Sequence, residues 1–479
     1  MSAVVLLHRW LGIAFCLLFA MWFATGIVMH FVPFPSQTEA ERFAGLGQLD
    51  RSAPRIPVAD AAAASGIVDA TRVRLIQRGD GPVYIVSGPS RARAVRASDG
   101  QDASVTSADV ALAIVRTHAR QRGLDAARAA IVGHSAYDQW SVPNGFDRHR
   151  PLFRAALGDA AGTEVYVSSQ TGEVVLDTTR SERGWNLVGS VLHWIYPTLL
   201  RSNWARWDQV VWTVSLLALI AALLGAVLGI GRVRARGGRI SSPYRGWHAM
   251  HHLMGLAAMV FVLSWIFSGW LSMDHGRLFS RGQLTPAEAA VINAAPDWTG
   301  AASLDLLPIS PSAREVEWLA SDSNIYRRDR TSLDQQLLVK AGEASWNRHS
   351  GLLSVHDVQE LTTRLGTSCD PPFVLAENDD YPARSIVPEA PVYRSRCGAL
   401  WFDIDSADGS VLQRLDPSRR AYRWLYRGMH TLDPPIFLSH PRLRSAIVLG
   451  LCGLGFLFSL TGVIIGWRRL RHSTRAGPG

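Results

Sequence analysis

Ten histidines lie within or beside long apolar segments of the 479-residue chain, and they are the side chains best suited to chemistry. They are His8, His30, His193, His248, His251, His252, His275, His430, His440 and His472. An ionisable side chain at membrane depth is costly, so each is a functional candidate, although an isolated histidine at headgroup level is usually an interfacial residue. Neutral imidazole binds transition metals and haem iron.

An internal alignment pairs four of these histidines. Val165–Arg232 aligns without gaps onto Phe402–Arg469, which places His193 on His430, and each is followed four positions later by proline. Two further segments align at their own offset, and the matched positions there are His8 with His251, Gly12 with Gly255, and Thr25-Gly26 with Ser268-Gly269. The chain therefore reads as two parallel repeats related by a pseudo-twofold axis along the membrane normal.

Two facing imidazoles at one depth in an apolar bundle are typical of bis-axial ligation of a b-type haem. The sequence places His8 and His251 at one side of the membrane and His193 and His430 at the other. Zinc requires a third or fourth ligand, which the neighbouring apolar segments do not supply. Covalent haem attachment is excluded because no Cys-x-x-Cys-His occurs.

Several alternative ligands remain open. His248 and His252 share one helix face, whereas His251 lies about 100° from His252, so only the internal alignment selects His251. His30 lies about 33 Å along the helix from His8, on the same side as His193. Its aligned residue is Met273, and His/Met is also a haem ligand pair. We favour His193 and His430 there.

Four apolar runs must position these histidines. Each is about 20 residues or longer and so crosses a bilayer, and the runs are Val4–Val32, Val210–Ile230, Met250–Met273 and Ser445–Trp467. The first is not a cleaved signal peptide, because it is too long and lacks a small-residue cleavage site. With 48% hydrophobic and 19% charged residues, the chain is too apolar to be disordered, and four cysteines exclude a disulfide scaffold.

The basic residues give the orientation. The linker Gly231–Gly246 and the tail after the fourth run contain no acid and nine arginines: Arg232, Arg234, Arg236, Arg239, Arg245, Arg468, Arg469, Arg471 and Arg475. The positive-inside rule places the linker and both termini in the cytoplasm. Without these nine and Arg9, 39 basic residues face 40 acidic ones. The net charge of +9 therefore reports topology, and a nucleic-acid partner is not expected.

The two long connections, Pro33–Asp208 and Asp274–Arg444, then lie outside, in the periplasm of a bacterium. Each is predicted to be an α+β domain that ends in an interfacial helix. The predicted helices are Val58–Ser65, Ser107–Arg120 and Ser354–Leu365, and the predicted strands are Val73–Gln77, Val83–Ser87, Ala92–Ala97, Glu164–Ser168, Leu400–Ile404 and Ser410–Leu415. Cys369 and Cys397 share an oxidising compartment, so a disulfide between them is plausible, whereas Cys16 and Cys452 are packing residues.

Three motifs carry a resemblance to a known family. His8-Arg9-Trp10-Leu11-Gly12 with Thr25-Gly26, the turn Thr171-Gly172-Glu173, and Leu192-His193-Trp194 are similar to PepSY-associated transmembrane proteins. The resemblance implies four spans, periplasmic PepSY-type modules and kinship with inner-membrane ferric siderophore reductases, which bind two b haems through membrane histidines. Met29-His30-Phe31 and Arg148-His149-Arg150-Pro151 are distinctive but do not identify an electron acceptor.

The function expected from these observations is electron transfer across the membrane. Electrons pass from a quinol or a separate cytoplasmic reductase, by way of the two histidine pairs, to a periplasmic acceptor such as a ferric siderophore. Nicotinamide chemistry is not expected, because the only glycine-rich run, Gly450–Gly455, lies within a span. The alternatives are a non-redox membrane protein whose PepSY-like modules bind a periplasmic partner, and a transporter, which the lack of acidic residues in the spans disfavours.

Overall fold

The computed structural model describes residues 2–236, 239–292, 294–321, 324–342, 352–365, 368–385, 387 and 390–475. Four of its helices are long and apolar enough to cross a membrane. They are the first span Ser2–Phe31, the second Trp204–Gly231, the third Gly246–Leu271 and the fourth Pro441–Arg475. The four predicted spans are confirmed. The predicted tail and linker each extend over residues outside the described ones, 476–479 and 237–238.

The four spans form one bundle in which the first and third lie on a diagonal. The first span packs against the second and fourth, and the third span packs against the same two neighbours. Phe23, Ala218, Ala258, Val262 and Cys452 are buried at the centre. Because both long connections leave from the same end of the bundle, we call that end the domain side. The opposite end, where Arg234–Arg236 and Arg239–Ser241 form a short hairpin, is the linker side.

Both outer segments contribute strands to one antiparallel sheet, the central sheet. Its order is Gln336–Lys340, Asn324–Arg330, Glu315–Ser321, Arg72–Arg78, Gly81–Ser87 and Ala92–Arg96. The segments join where Arg74 lies opposite Glu317. One face buries apolar side chains such as Val73 and Val316, and the other carries charges. Pro33–Asp208 and Asp274–Arg444 therefore share a hydrophobic core.

Each outer segment also forms a four-stranded antiparallel sheet of its own. The first small sheet contains Ala130–Ser135, Leu152–Ala156, Glu164–Ser168 and Val174–Thr178. The second contains Phe373–Val374, Val392–Cys397, Leu400–Asp405 and Val411–Leu415. Helix Ala108–Gln121 packs on the first sheet and helix Val355–Thr363 on the second. Cys369 and Cys397 form a disulfide, and Cys16 and Cys452 are free.

The predicted strands and helices of the outer segments are present with ends shifted by one or two residues, so the α+β class is confirmed. The remaining helical segments are short: Glu39–Ala44, Val58–Ala64, Asn144–His149, Arg180–Asn186, Leu187–Val191, Thr198–Arg201, Pro286–Ile292, Trp298–Ala301, Ala302–Asp305, Pro417–Arg423, Trp424–Gly428 and Pro435–Leu438. Those next to the second and fourth spans position the histidines described below.

Candidate functional site

His193 and His430 face each other at the domain side of the bundle. Their ring centroids are 6.3 Å apart and the ring planes are inclined by 69°. His193 also lies beside the first span, where Nε1 of Trp22 donates to its carbonyl oxygen at 2.9 Å. The structure thus brings together two histidines that are 237 positions apart in the sequence, as the internal alignment predicts.

A hydroxyl group lies within hydrogen-bond distance of Nδ1 in each of these rings. Nδ1 of His193 lies 2.9 Å from Oγ1 of Thr25, and Nδ1 of His430 lies 3.1 Å from Oγ of Ser268. Both hydroxyls donate to a carbonyl one turn earlier in their own helix, at Met21 and Trp265. Each hydroxyl is therefore left as an acceptor, so both imidazoles carry their proton on Nδ1. The lone pair of Nε2 is free to bind a metal.

The backbone around the two histidines is unusual at matching positions. A π-helical turn precedes each, Leu187–Val191 before His193 and Trp424–Gly428 before His430. Two residues after each histidine the chain adopts a left-handed conformation, with φ of 50° at Ile195 and 48° at Leu432. Left-handed β-branched isoleucine is a genuine outlier, and such strain persists only where the surrounding structure imposes it.

His8 and His251 lie at the linker side, on the diagonal first and third spans. Nδ1 of His8 donates to the carbonyl oxygen of Ala221 at 3.1 Å. Nδ1 of His251 lies 2.8 Å from Oγ1 of Thr461, whose hydroxyl donates to the carbonyl of Phe458. Both rings are therefore Nδ1-protonated. No hydrogen bond among the described residues reaches Nε2 of these histidines or of the domain-side pair.

Glycines make room for the four rings. A methyl group added at Gly225 would lie 2.8 Å from Cε1 of His8, and one at Gly269 would lie 3.2 Å from Cε1 of His430. At the aligned glycines, an added methyl group would lie 3.6 Å from Cε1 of His251 for Gly462 and 3.9 Å from Cε1 of His193 for Gly26. Small residues in membrane helices usually allow backbones to approach each other, whereas Gly225 and Gly269 allow an imidazole to approach. At Gly462 and Gly26 a methyl group would make ordinary contact.

The alternative ligands make other contacts. Both ring nitrogens of His252 are bonded, to Oγ of Ser242 at 3.0 Å and to the carbonyl of Gly229 at 2.9 Å. His248 is exposed on the linker side. Nε2 of His30 lies 2.9 Å from Oγ of Ser445. Met273 follows the end of the third span, five positions beyond Ser268. The four repeat-aligned histidines differ from these in sharing one pattern, with Nδ1 beside an oxygen and Nε2 without a bond to a described residue.

The spacing of the domain-side pair fits one metal centre with two axial imidazoles. An imidazole nitrogen bound to a first-row metal lies about 2.0–2.1 Å from it, so two rings on opposite sides have centroids roughly 6.3 Å apart. His193 and His430 are at that separation. Within the described residues, no group of three or more His, Cys, Asp or Glu could hold a metal ion. The donor set suits a metal whose remaining ligands come from a macrocycle.

The two histidine levels are separated by an apolar core. His8 and Thr25 are 17 positions apart, as are His251 and Ser268, which corresponds to about 25 Å of helix. Phe23, Phe261 and Trp265 fill part of this interval, with ring centroids 5.7–6.2 Å apart.

The family model described as the PepSY-associated TM region matches residues 5–354. The chain belongs to this family. The match contains His8, His193 and His251, and His430 lies beyond it. A comparison with curated proteins finds no match. The protein is therefore a PepSY-associated membrane protein with four candidate spans and α+β domains.

The PepSY-associated domains form an open, charged cavity of about 490 Å³ on the polar face of the central sheet, with Arg148, His149 and residues 407–410 in its wall. Six arginines line it, namely Arg42, Arg72, Arg74, Arg148, Arg328 and Arg330. Four acids line it as well, namely Glu39, Glu315, Glu317 and Asp408. The positive charges are in excess, so the cavity favours an anionic ligand.

Most of these charges form buried ion pairs. Glu315 contacts Arg42 and Arg330, each at 2.8 Å, and Arg74 at 3.4 Å. Burial alone would raise the pKa of Glu315, but the three guanidinium groups hold that pKa well below its usual value. Arg72 contacts Glu317 at 3.0 Å. Sequence reasoning missed this network, because its partners lie on strands from opposite halves of the chain.

Arg148 and His149 lie in the cavity wall, and their side chains have no ion-pair or hydrogen-bond partner among the described residues. Arg148 makes no ion pair with any residue that the structure describes. Burial lowers the pKa of His149 to about 4, so the ring is neutral at pH 7, and its buried Nδ1 has no hydrogen-bond partner. The sequence alone leaves two interpretations of His149 beside its arginines, namely a group that binds an anionic chelate and, as the more common case, part of a solvated loop.

A short segment connects the cavity wall with the domain-side histidines. Helix Asn144–His149 ends at the cavity, and at its other end Oδ1 of Asn144 accepts from Arg201 at 2.7 Å. Nε2 of Gln139 donates to the carbonyl of Tyr196, three residues after His193, at 2.8 Å. The helix Asn144–His149, about 10–12 Å long, thus runs from the cavity wall to the segment that follows His193.

Proposed function

We propose that this PepSY-associated protein is a di-haem b electron-transfer protein of the bacterial inner membrane. It passes electrons from a quinol or a cytoplasmic reductase to a periplasmic acceptor, of which a ferric siderophore or another ferric chelate is the best candidate. The observation that carries the proposal is the 6.3 Å spacing of His193 and His430, whose Nε2 atoms are both free. A haem b supplies one-electron transfer between ferric and ferrous iron.

The chain's own residues define the two sites. His193 and His430 would hold one haem at the domain side, and His8 and His251 would hold the second at the linker side. Oxygens on neighbouring helices fix each Nδ1–H and thereby orient each ring. Such outer partners raise ligand basicity and hold the ligand in its binding orientation.

The charged cavity supports an anionic acceptor. A ferric chelate whose donors are catecholates or several carboxylates carries negative charge, and Arg148 offers a guanidinium that no described carboxylate neutralises. Reduction of the bound iron from Fe³⁺ to Fe²⁺ weakens its bonds to oxygen donors and so favours release. The arginine-rich linker places the opposite side in the cytoplasm by the positive-inside rule, so the cavity faces the periplasm in this proposal.

Absorption spectra of the purified protein test the proposal. Protein expressed with ample haem should show b-type bands when oxidised and when reduced with dithionite, with two haems per chain. His193→Ala or His430→Ala should remove about half the haem. His30→Ala, which removes a domain-side histidine bonded to Ser445, should keep both.

A featureless spectrum after haem-replete expression would refute the haem assignment. It would favour the alternative in which the PepSY-like domains bind or regulate a periplasmic partner without redox chemistry. Unchanged haem content in the His193 and His430 variants, with haem present in the wild type, would refute the ligand assignment alone.

A further inference from the structure

A histidine–aspartate pair joins the second and third spans at the domain side. Nδ1 of His275, which follows the third span, lies 2.6 Å from Oδ2 of Asp208, in the first turns of the second span. Asp208 is 6% exposed, and its buried Oδ1 has no hydrogen-bond partner. The His275 side chain is 32% exposed, and no described residue bonds its Nε2.

Two tryptophans complete this cluster. The ring of Trp212 lies 4.7 Å from that of His275, inclined by 33°. Trp270 lies 6.1 Å from Trp212, and its buried Nε1 has no hydrogen-bond partner. The cluster therefore offers an unsatisfied acceptor, an unsatisfied donor and an open imidazole nitrogen beside a flat aromatic ring.

The aligned positions between the first and fourth spans carry different side chains. The internal alignment places Ser445 at the position of Asp208, Leu449 at that of Trp212, and Ile27 at that of Trp270. There, His30 bonds to Ser445 through its own Nε2, so that histidine has no open Nε2. If these residues served only to pack the helices, the two repeats would carry similar side chains at the aligned positions. They do not, so the Asp208–His275 cluster points to a role of its own.

We infer that this cluster binds the headgroup of a membrane quinol and that His275 accepts a proton from it. A quinol presents a flat ring with a hydroxyl at each end and an apolar tail that stays in the bilayer. The ring would lie against Trp212, one hydroxyl would donate to Nε2 of His275, and the other oxygen would accept from Nε1 of Trp270. Asp208 is a positioning residue, because it holds Nδ1–H of His275 and stabilises the imidazolium.

The inference rests on the proposed function, since it identifies the electron donor of that protein. Oxidation of one quinol to the quinone releases two electrons and two protons. The two histidine pairs would hold the two one-electron centres that the proposed function requires, and each centre would take up one of these electrons. The first proton goes to Nε2 of His275 and then to water at the domain side, and the second is released there directly. Both O–H bonds break, and no other reactant is required.

Two measurements on the full-length protein in detergent test the inference. The first is binding of decylubiquinone, followed by quenching of tryptophan fluorescence, which requires no haem. His275→Leu should weaken this binding at least tenfold, and Asp208→Asn should leave it within about twofold. The second is the anaerobic rate of haem reduction by decylubiquinol, which Asp208→Asn should lower about 10- to 100-fold. Dithionite should still reduce all the haem in this variant.

The aligned positions between the first and fourth spans supply matched controls. Ser445→Asn and His30→Leu should change neither binding nor the rate of reduction. Quinol reduction at the wild-type rate in Asp208→Asn, or equal decylubiquinone binding in His275→Leu, would overturn the inference while leaving a dithionite-reducible di-haem protein intact. A protein without haem would refute the proposed function, and the binding measurement would then decide the site. If His275→Leu does not fold, the isosteric Asp208→Asn variant decides it.

Discussion

The imidazole rings of His193 and His430 face each other at 6.3 Å, and each is held through Nδ1 by a hydroxyl from the preceding span of its own half. The arrangement fixes the proton on Nδ1 in both rings. No hydrogen bond among the described residues reaches Nε2 of either ring, so both Nε2 atoms remain open, as the proposed bis-imidazole centre requires.

Removal of the hydroxyls should weaken the centre without removing its ligands. Thr25→Val and Ser268→Ala leave Nδ1–H of His193 or His430 without its hydroxyl acceptor, so we expect about 10- to 100-fold weaker haem binding at the domain side. Haem titration of the apoprotein measures the affinity. Thr213→Val is the control, because Thr213 lies in the second span, bonds only to Gln209 and should have no effect. Equal affinities in all three variants would contradict the proposed role of the hydroxyls.

The glycines beneath the linker-side rings should differ in their tolerance of alanine. A methyl group at Gly225 would lie 2.8 Å from His8 and would displace the ring, whereas one at Gly462 would make ordinary contact with His251 at 3.6 Å. Gly225→Ala should therefore lose the linker-side haem, and Gly462→Ala should keep it. Quantitative haem spectra distinguish them. Gly450→Ala, where the methyl group meets nothing within 4 Å, is the control, and full haem content in Gly225→Ala would contradict the expected displacement.

Glu315 should be among the most important side chains for the stability of the outer domains. Glu315→Gln leaves Arg42, Arg74 and Arg330 without their shared carboxylate in a buried site, and we expect a loss of roughly 3–5 kcal/mol. Because the pKa of Glu315 is held well below its usual value of 4.5, its contribution is complete above about pH 4.5. It is lost only as the pH falls through the folded pKa.

Thermal unfolding monitored by circular dichroism measures the effect of Glu315→Gln. Asp99→Asn breaks a pair in which both side chains are exposed, with Arg96 at 2.8 Å, and should not change the melting temperature. Equal melting temperatures for Glu315→Gln and the wild type would show that the arginines find other partners.

His118 should make the outer domains less stable in mild acid. Burial, together with the nearby charge of Arg122, lowers the pKa of His118 from 6.5 to about 4. The unfolded state then binds more protons between these values, so the contribution is complete above pH 6.5 and falls as the pH decreases towards 4. The full effect is about 3 kcal/mol.

Melting temperatures between pH 4 and 8 test this expectation. His118→Leu should remove part of the loss at low pH, because the leucine does not titrate. His356, whose side chain is 78% exposed, supplies the control, since His356→Leu should leave the pH dependence as in the wild type. An identical pH profile for His118→Leu would mean that another group controls acid unfolding.

The sequence by itself determined the four long apolar helices and the outer α+β class, and it predicted the pairing of His8 with His251 and of His193 with His430. Runs of about 20 apolar residues and the alternation within strands are local properties, and they survive in any tertiary arrangement. The internal alignment also carried positional information, because residues at matching positions of two similar segments meet similar surroundings.

Only the tertiary structure decided which ring nitrogens are free. His251 and His252 are neighbours in sequence, yet one retains an open Nε2 and the other is bonded on both sides. The shared central sheet, the charged cavity and the Asp208–His275 pair likewise depend on contacts between distant segments. Arg74 meets Glu317 across 243 positions, and neither composition nor periodicity records which strand of one half lies beside which strand of the other.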